Sequence, residues 1–365
     1  MKTRNAAIDK IRGFAILLVM AGHCIVLNGL ADSFVYDIIN AIQMPLFMTV
    51  SGYLAGFSKV PGDVAGFAKS AGKRAVSCLI PFFSWMVLTH LRNPWEEFRL
   101  ELFQLDRGLW FLMTLFLIAL MVLLAQFLVT RIRQNTDLIQ AILFLGILMI
   151  LYALPLLQAR SGNTFLSPSL TVKYLPFYLA GFLLSHYLPV FMEQSKWVAR
   201  LFSRPVLWSL WGISLPVFLG AAAFFDLVHA NSTLDMLIQM AASFLGTFLA
   251  FYGIARLSEK GLGGWLVLPG MYTLEIYVLH FRFARLLGIA QKNLTLYSLE
   301  GVLWVLAAFA VMAVLTAAGI LVLRHIPVVS FLLFGKTALK VGAKKGTGMD
   351  AGMDAGRDAG KDKSQ

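Results

Sequence analysis

The sequence predicts an all-α, polytopic membrane protein of about ten transmembrane helices, and three observations carry that expectation. Mean hydropathy is +0.75, and 59% of the 365 residues are hydrophobic against 14% charged. An ordinary soluble domain carries about 25% charge. The apolar residues come in runs of about twenty, long enough to cross a hydrocarbon core of about 30 Å as helices. The runs lack barrel-like alternation, and a backbone in lipid must satisfy its own hydrogen bonds, which leaves helices.

In order, the expected spans cover residues 13–30, 38–57, 75–91, 108–129, 137–157, 171–190, 205–226, 234–255, 266–286 and 300–323. The first follows charged residues but has no small-residue cleavage site and contains His23, so it reads as a retained helix rather than a removed signal peptide. In the second, Pro45 suits a first turn or a kink, and Ser51-Gly52 permits close helix approach. The segment RNPWEEFRLELFQLDR, residues 92–107, is short, mixed in charge and Trp-containing, as an interfacial amphipathic segment is. Span four opens with LWFLMTLF (Leu109–Phe116), which taken alone is an aromatic belt at a membrane boundary. Beyond span ten, RHIPVVSFLLFGK is too short to cross and is expected at the interface. Residues 1–340 form one transmembrane domain, and residues 341–365, ending in GTGMDAGMDAGRDAGKDKSQ, are an expected disordered tail.

The net charge of +12 does not imply a nucleic-acid partner, because the basic residues lie between the apolar runs rather than in one patch. Placing the N-terminus in the cytoplasm puts 23 Lys and Arg on that side and 8 on the other. The bias predicts a cell-membrane protein with both termini cytoplasmic. Cys24 and Cys78 both fall within spans, where packing is the default and no disulfide framework is implied. No Walker, Rossmann or metal-ligand spacing appears, so neither a bound cofactor nor a metal is expected.

Ionisable side chains inside spans are costly and usually face a protein interior or a wet cavity. Arg12 and His23 stand eleven residues apart, which on a helix returns to within about 20° of one face with a rise of about 16 Å. Asp9 leads that face by one turn, and Ile16 and Val19 fill the gap. Singly, Arg12 reads as a snorkelling anchor, His23 as a hydrogen-bonded internal histidine, and Asp9–Arg12 as a structural pair. Their shared face turns the reading towards chemistry. In span nine, PGMYTLEIYVLH sets Thr273, Tyr277 and His280 near one face and points Glu275 elsewhere. A buried Glu275 must be neutral, paired or hydrated, with Arg282, Arg285 or another helix as partner.

Four signatures in order carry a family resemblance: DKIRGFAILLVMAGH (Asp9–His23), MPLFMTVSGYL (Met44–Leu54), LWFLMTLF (Leu109–Phe116) and GMYTLEIYVLH (Gly270–His280). On these, over roughly residues 8–325, the chain resembles the acyltransferase 3 family of integral-membrane acyltransferases, nearest its fucose 4-O-acetylase-like branch. The resemblance implies O-acyl transfer, usually of acetyl from cytoplasmic acetyl-CoA, to a hydroxyl of a cell-envelope sugar or glycan. It places Arg12 and His23 in the family's arginine–ten residues–histidine motif, with the histidine as catalytic candidate and the arginine essential or donor-binding. Two departures are visible. Gln43 stands where this branch often has His before Met-Pro, and the Arg-x-x-Arg element reads Arg74-Ala-Val-Ser77, with Lys69 and Lys73 upstream.

The implied chemistry agrees with the residues. A sugar hydroxyl is a poor nucleophile at neutral pH, and a positioned neutral imidazole is the natural general base. His23 is therefore expected to take the acceptor proton, aided by Asp9 or another partner, with Arg12 the third catalytic candidate at the cytoplasmic edge, and an acetyl-histidine intermediate is the alternative route. Lys73, Arg74, Ser51, Trp110, Glu275, Tyr277 and His280 are the expected donor- and substrate-binding residues. The expected partners are an acyl-CoA donor, a sugar or glycan acceptor and the bilayer. A transporter of a glycan precursor would also fit many spans with intramembrane charge, though no strong inverted repeat supports it. A membrane scaffold would tolerate apolar residues at positions 12 and 23 and leaves the four ordered signatures unexplained.

Overall fold

A computed structural model describes residues 5–89, 91, 94–105, 108–132, 136–287 and 295–335, and no strand occurs among them. The helices are α1 (Ala6–Leu27), α2 (Phe34–Gly56), α3 (Val64–Thr89), α4 (Pro94–Phe103) and α5 (Trp110–Val129). They continue as α6 (Asp137–Arg160), α7 (Pro168–His186), α8 (Leu188–Gln194), α9 (Lys196–Leu201), α10 (Arg204–Phe224) and α11 (Thr233–Glu259). The last are α12 (Val267–Met271), α13 (Thr273–Leu287), α14 (Leu299–Arg324) and α15 (Pro327–Phe334). Side-chain caps set several starts. Asn5 accepts from Ala7 N–H at α1, and Ser33, Thr136, Ser232 and Ser298 do the same at α2, α6, α11 and α14.

Seven of these helices, α1, α2, α5, α6, α10, α11 and α14, are long and apolar enough to cross a membrane, and α7 with α8 makes an eighth, bent by 44°. The other two expected spans differ for local reasons. α3 is 26 residues long, but Lys69, Lys73 and Arg74 interrupt its first half. Span nine is not one helix: a turn at Gly264–Leu266 leads into α12, and the chain breaks at Tyr272 before α13. Pro269, which has no amide proton to continue the ladder, lies just before the break.

Burial separates the helices into layers. In the most apolar stretches of α1, α2 and α5, 56–67% of residues are buried, whereas in α6, α10 and α14 the share is 17–22%. The first three form the centre, and the second three present apolar side chains outward, as lipid-facing helices do. We call the end where α1 begins the N-face and the opposite end the far face.

Two glycine seams hold the centre. Along α2 and α7, which run parallel, a Cβ on Gly52 would collide with the Tyr178 carbonyl and one on Gly181 with the Thr49 carbonyl. Where α1 meets α12, a Cβ on Gly13 would collide with the Leu266 carbonyl and one on Gly270 with the Asp9 carbonyl. Backbones touch at both seams, so small residues there fix the depth at which neighbouring side chains sit.

The expected interfacial segment at 92–107 contains α4, with Trp95 exposed and Glu101 buried against the bundle. Residues 92, 93, 106 and 107 lie outside the described residues. α15, too short to cross, packs on α3, where the Trp85 indole N–H donates to the Leu333 carbonyl at 3.1 Å. The expected disordered tail, residues 341–365, lies outside the described residues.

Candidate active site

The Gly13–Gly270 seam determines where the candidate base ends up. α1 and α12–α13 both run from the N-face to the far face, and Gly13 and Gly270 interlock near the N-face. His23 lies ten residues beyond Gly13, and His280 lies ten beyond Gly270. The equal offsets bring the two imidazoles side by side, with ring centroids 5.2 Å apart and planes at 39°. Phe281 packs on His23 at 4.9 Å, and Tyr277 stands 6.2 Å from His280. His280, 1% exposed, meets the Ile276 carbonyl through Nδ1 at 2.8 Å. A carbonyl only accepts, so Nδ1 donates and Nε2 carries the lone pair. That Nε2 is buried with no hydrogen-bond partner among the described residues.

These residues form one wall of a cavity of about 620 Å³ at the far face. Val19 and His23 come from α1, Tyr36, Asn40, Gln43 and Met44 from α2, and Phe82, Trp85 and Met86 from α3. α4 contributes Leu100 and Glu101, and α5 contributes Trp110, stacked on Tyr174 of α7 at 5.2 Å and 24°. Arg282 lies 5.6 Å over the Trp85 ring. The wall is thus aromatic with polar groups set into it, a surface suited to an apolar ring face and hydroxyls together. The Gln43 Oε1 is a second buried atom on this wall with no hydrogen-bond partner among the described residues.

A second cavity, of about 770 Å³, opens at the N-face between the start of α1, the end of α2 and the first half of α3. Lys59, Lys73 and Arg74 give it positive charge, and Asn5, Ser58 and Ser70 add polar atoms. Arg74 donates to the Ser70 carbonyl at 3.4 Å and to the Tyr178 hydroxyl. Along α1 the two cavities are reached at Ile8 and Val19, about 16 Å apart by helical rise.

The expected site residues therefore fall into three groups. His23, Trp110, Tyr277 and His280 meet in the far cavity, and Lys73 and Arg74 meet in the N-face cavity. Asp9, Arg12, Ser51 and Glu275 line neither of these two cavities. Asp9 and Glu275 are buried, and each of Asp9, Arg12 and Glu275 is engaged by a partner. Sequence reasoning left out Tyr36, Trp85, Glu101 and Tyr174, which are interfacial-looking residues in separate segments, and Lys59, one of many basic loop residues. It also passed over Lys10, buried next to Asp9, whose Nζ donates to the Leu262 carbonyl at 2.7 Å and ties α1 to the turn before α12. Among the described residues no group of three or more His, Cys, Asp or Glu could hold a metal.

A helical membrane bundle with a basic cavity at one end and an imidazole-bearing cavity at the other defines a membrane-embedded transferase better than a soluble one. The model for an acyltransferase domain, that of the acyltransferase 3 family, matches residues 5–324. The chain belongs to that family and is a membrane acyltransferase. It is also similar to the nodulation protein NolL of Sinorhizobium fredii (strain NBRC 101917 / NGR234), 25% identical over 315 residues, which cover 82% of this chain and 77% of NolL. No solved structure matches the chain.

Proposed function

We propose that this acyltransferase moves an acetyl or similar short acyl group from acetyl-CoA, arriving at the N-face, to a hydroxyl of a cell-envelope sugar or glycan held in the far cavity. The observation that carries the reading is the pairing of two cavities along one helix, with His23 on the far wall and Arg12 between them. Coenzyme A is polyanionic, and Lys59, Lys73 and Arg74 offer it charge-assisted hydrogen bonds at the N-face. The Trp110–Tyr174 stack suits a sugar ring, and Asn40, Gln43 and Glu101 suit its hydroxyls. The N-face is cytoplasmic and the protein sits in the cell membrane, in keeping with 23 basic residues against 8.

In the reaction, His23 accepts the proton of the acceptor hydroxyl as its oxygen attacks the thioester carbonyl. The carbon–oxygen bond forms, the carbon–sulfur bond breaks, and the departing thiolate takes the proton back from His23. Arg12, on α1 between the levels of the two cavities, is the residue the donor arm would pass, and Asp9, one turn earlier, is its catalytic partner in this reading.

With acetyl-CoA as donor and a methyl glycoside as acceptor, His23→Ala should lower transfer about 10²–10⁴-fold, the usual share of a general base. Full transfer by a correctly folded His23→Ala protein would overturn the assignment. Flux of glycoside without any acyl donor would favour a transporter.

A further inference from the structure

His280 carries a feature that acyl transfer by His23 alone leaves unexplained. Its Nε2 is an acceptor, buried and without a partner among the described residues, on the wall of the far cavity. An unmet buried acceptor is costly, so it is kept where something uses it. Donation of Nδ1 to the Ile276 carbonyl at 2.8 Å fixes both the tautomer and the ring orientation.

The nearest ring bearing a complementary N–H is His23, at a centroid distance of 5.2 Å. Two imidazoles joined by one ordinary N–H···N bond, about 3 Å between nitrogens, have ring centres about 5 Å apart. The separation is therefore right for the bond, and only the 39° tilt and in-plane rotation stand between the rings. The broad histidine χ2 torsion changes the tilt and χ1 supplies the in-plane rotation, so the bond needs only side-chain movement of the half-buried His23.

We propose that His280 is a positioning residue: its Nε2 accepts the N–H of His23 and thereby holds the other His23 nitrogen, lone pair outward, towards the acceptor hydroxyl. This rests on the reading of His23 as the base. When His23 takes the substrate proton it becomes an imidazolium, and the N–H facing His280 becomes a stronger donor to an acceptor already in place. A neutral imidazole here does what a carboxylate does for other catalytic histidines, without placing a second formal charge in the membrane. The Gly13–Gly270 seam sets the relative depth of the two rings, so the pair is built by the same contact that joins α1 to α12.

The test compares His280→Phe, which keeps ring volume but has no acceptor, with His280→Gln, whose amide oxygen can accept. The full-length protein is used in detergent or vesicles, with acetyl-CoA and a methyl glycoside. His280→Phe should lower kcat 10–100-fold, as loss of an orienting partner does, while KM for the glycoside stays within about threefold of wild type. His280→Gln should recover most of the kcat. Added to His23→Ala, His280→Phe should cost nothing further, because the two act as one unit. Wild-type kcat in His280→Phe, a KM effect alone, or a further additive loss in the double variant would overturn the proposal. So would His280→Gln, folded to the wild-type unfolding temperature, with kcat as low as that of His280→Phe. Full activity of His23→Ala is a separate outcome that removes the underlying reading of His23 as base.

Discussion

At the residue scale, the two candidate binding sites differ in the kind of side chain they contribute. Lys59, Lys73 and Arg74 at the N-face are partly or wholly exposed cations, so their attraction for an anionic donor is screened by salt. Arg74→Gln should raise KM for acetyl-CoA about 10–100-fold, the equivalent of losing one charge-assisted hydrogen bond of about 1.5–3 kcal/mol. The penalty should shrink as ionic strength rises, in a steady-state titration at two salt concentrations. An unchanged KM in low salt would place the donor elsewhere. In the far cavity the stacked Trp110 contributes apolar area and ring geometry instead. Trp110→Ala should raise KM for a glycoside while leaving KM for acetyl-CoA alone, and a change in the donor term only would contradict its place on the acceptor wall.

At the element scale, glycines decide which helices lie close enough for chemistry. Gly13 and Gly270 face backbone carbonyls, whereas Gly146, Gly212 and Gly220 have open space where a Cβ would go. Gly270→Ala should therefore destabilise the protein by about 1–3 kcal/mol through overpacking, seen as a lower unfolding temperature in detergent, and should also lower activity by shifting His280 against His23. Gly212→Ala should be neutral or slightly stabilising, because alanine is the better helix former by up to about 1 kcal/mol. Equal responses at the two positions would mean that the seam does not set the site. Most helices were legible from apolar runs of about twenty residues, since lipid allows few alternatives. The break at Tyr272 was only partly so: Pro269-Gly270 marks it in the sequence, but the turn before α12 is held by Lys10 and by contact with Gly13, and neither leaves a mark in the local pattern of span nine.

On the scale of the whole molecule, the far cavity draws on α1, α2, α3, α4, α5, α7 and α13, so no single stretch of sequence describes it. The polar face from Asp9 to His23 was legible because it lies on one helix, where spacing alone gives direction. Trp85, Glu101 and Tyr174 were not, because they reach the same cavity from three different helices. The split of the expected residues into a basic N-face group and an imidazole-bearing far group likewise required the fold. Separation of the two groups along α1 is what gives the proposed reaction a direction, with donor at one end and acceptor at the other.

The most direct test of that direction is transfer across a sealed bilayer. Protein of uniform orientation would be reconstituted in vesicles, with acetyl-CoA supplied only at the N-face and a methyl glycoside only at the far face. Acylated glycoside should appear in the far-face compartment and be lost with His23→Ala. Product that forms only when both substrates share one compartment would contradict that direction.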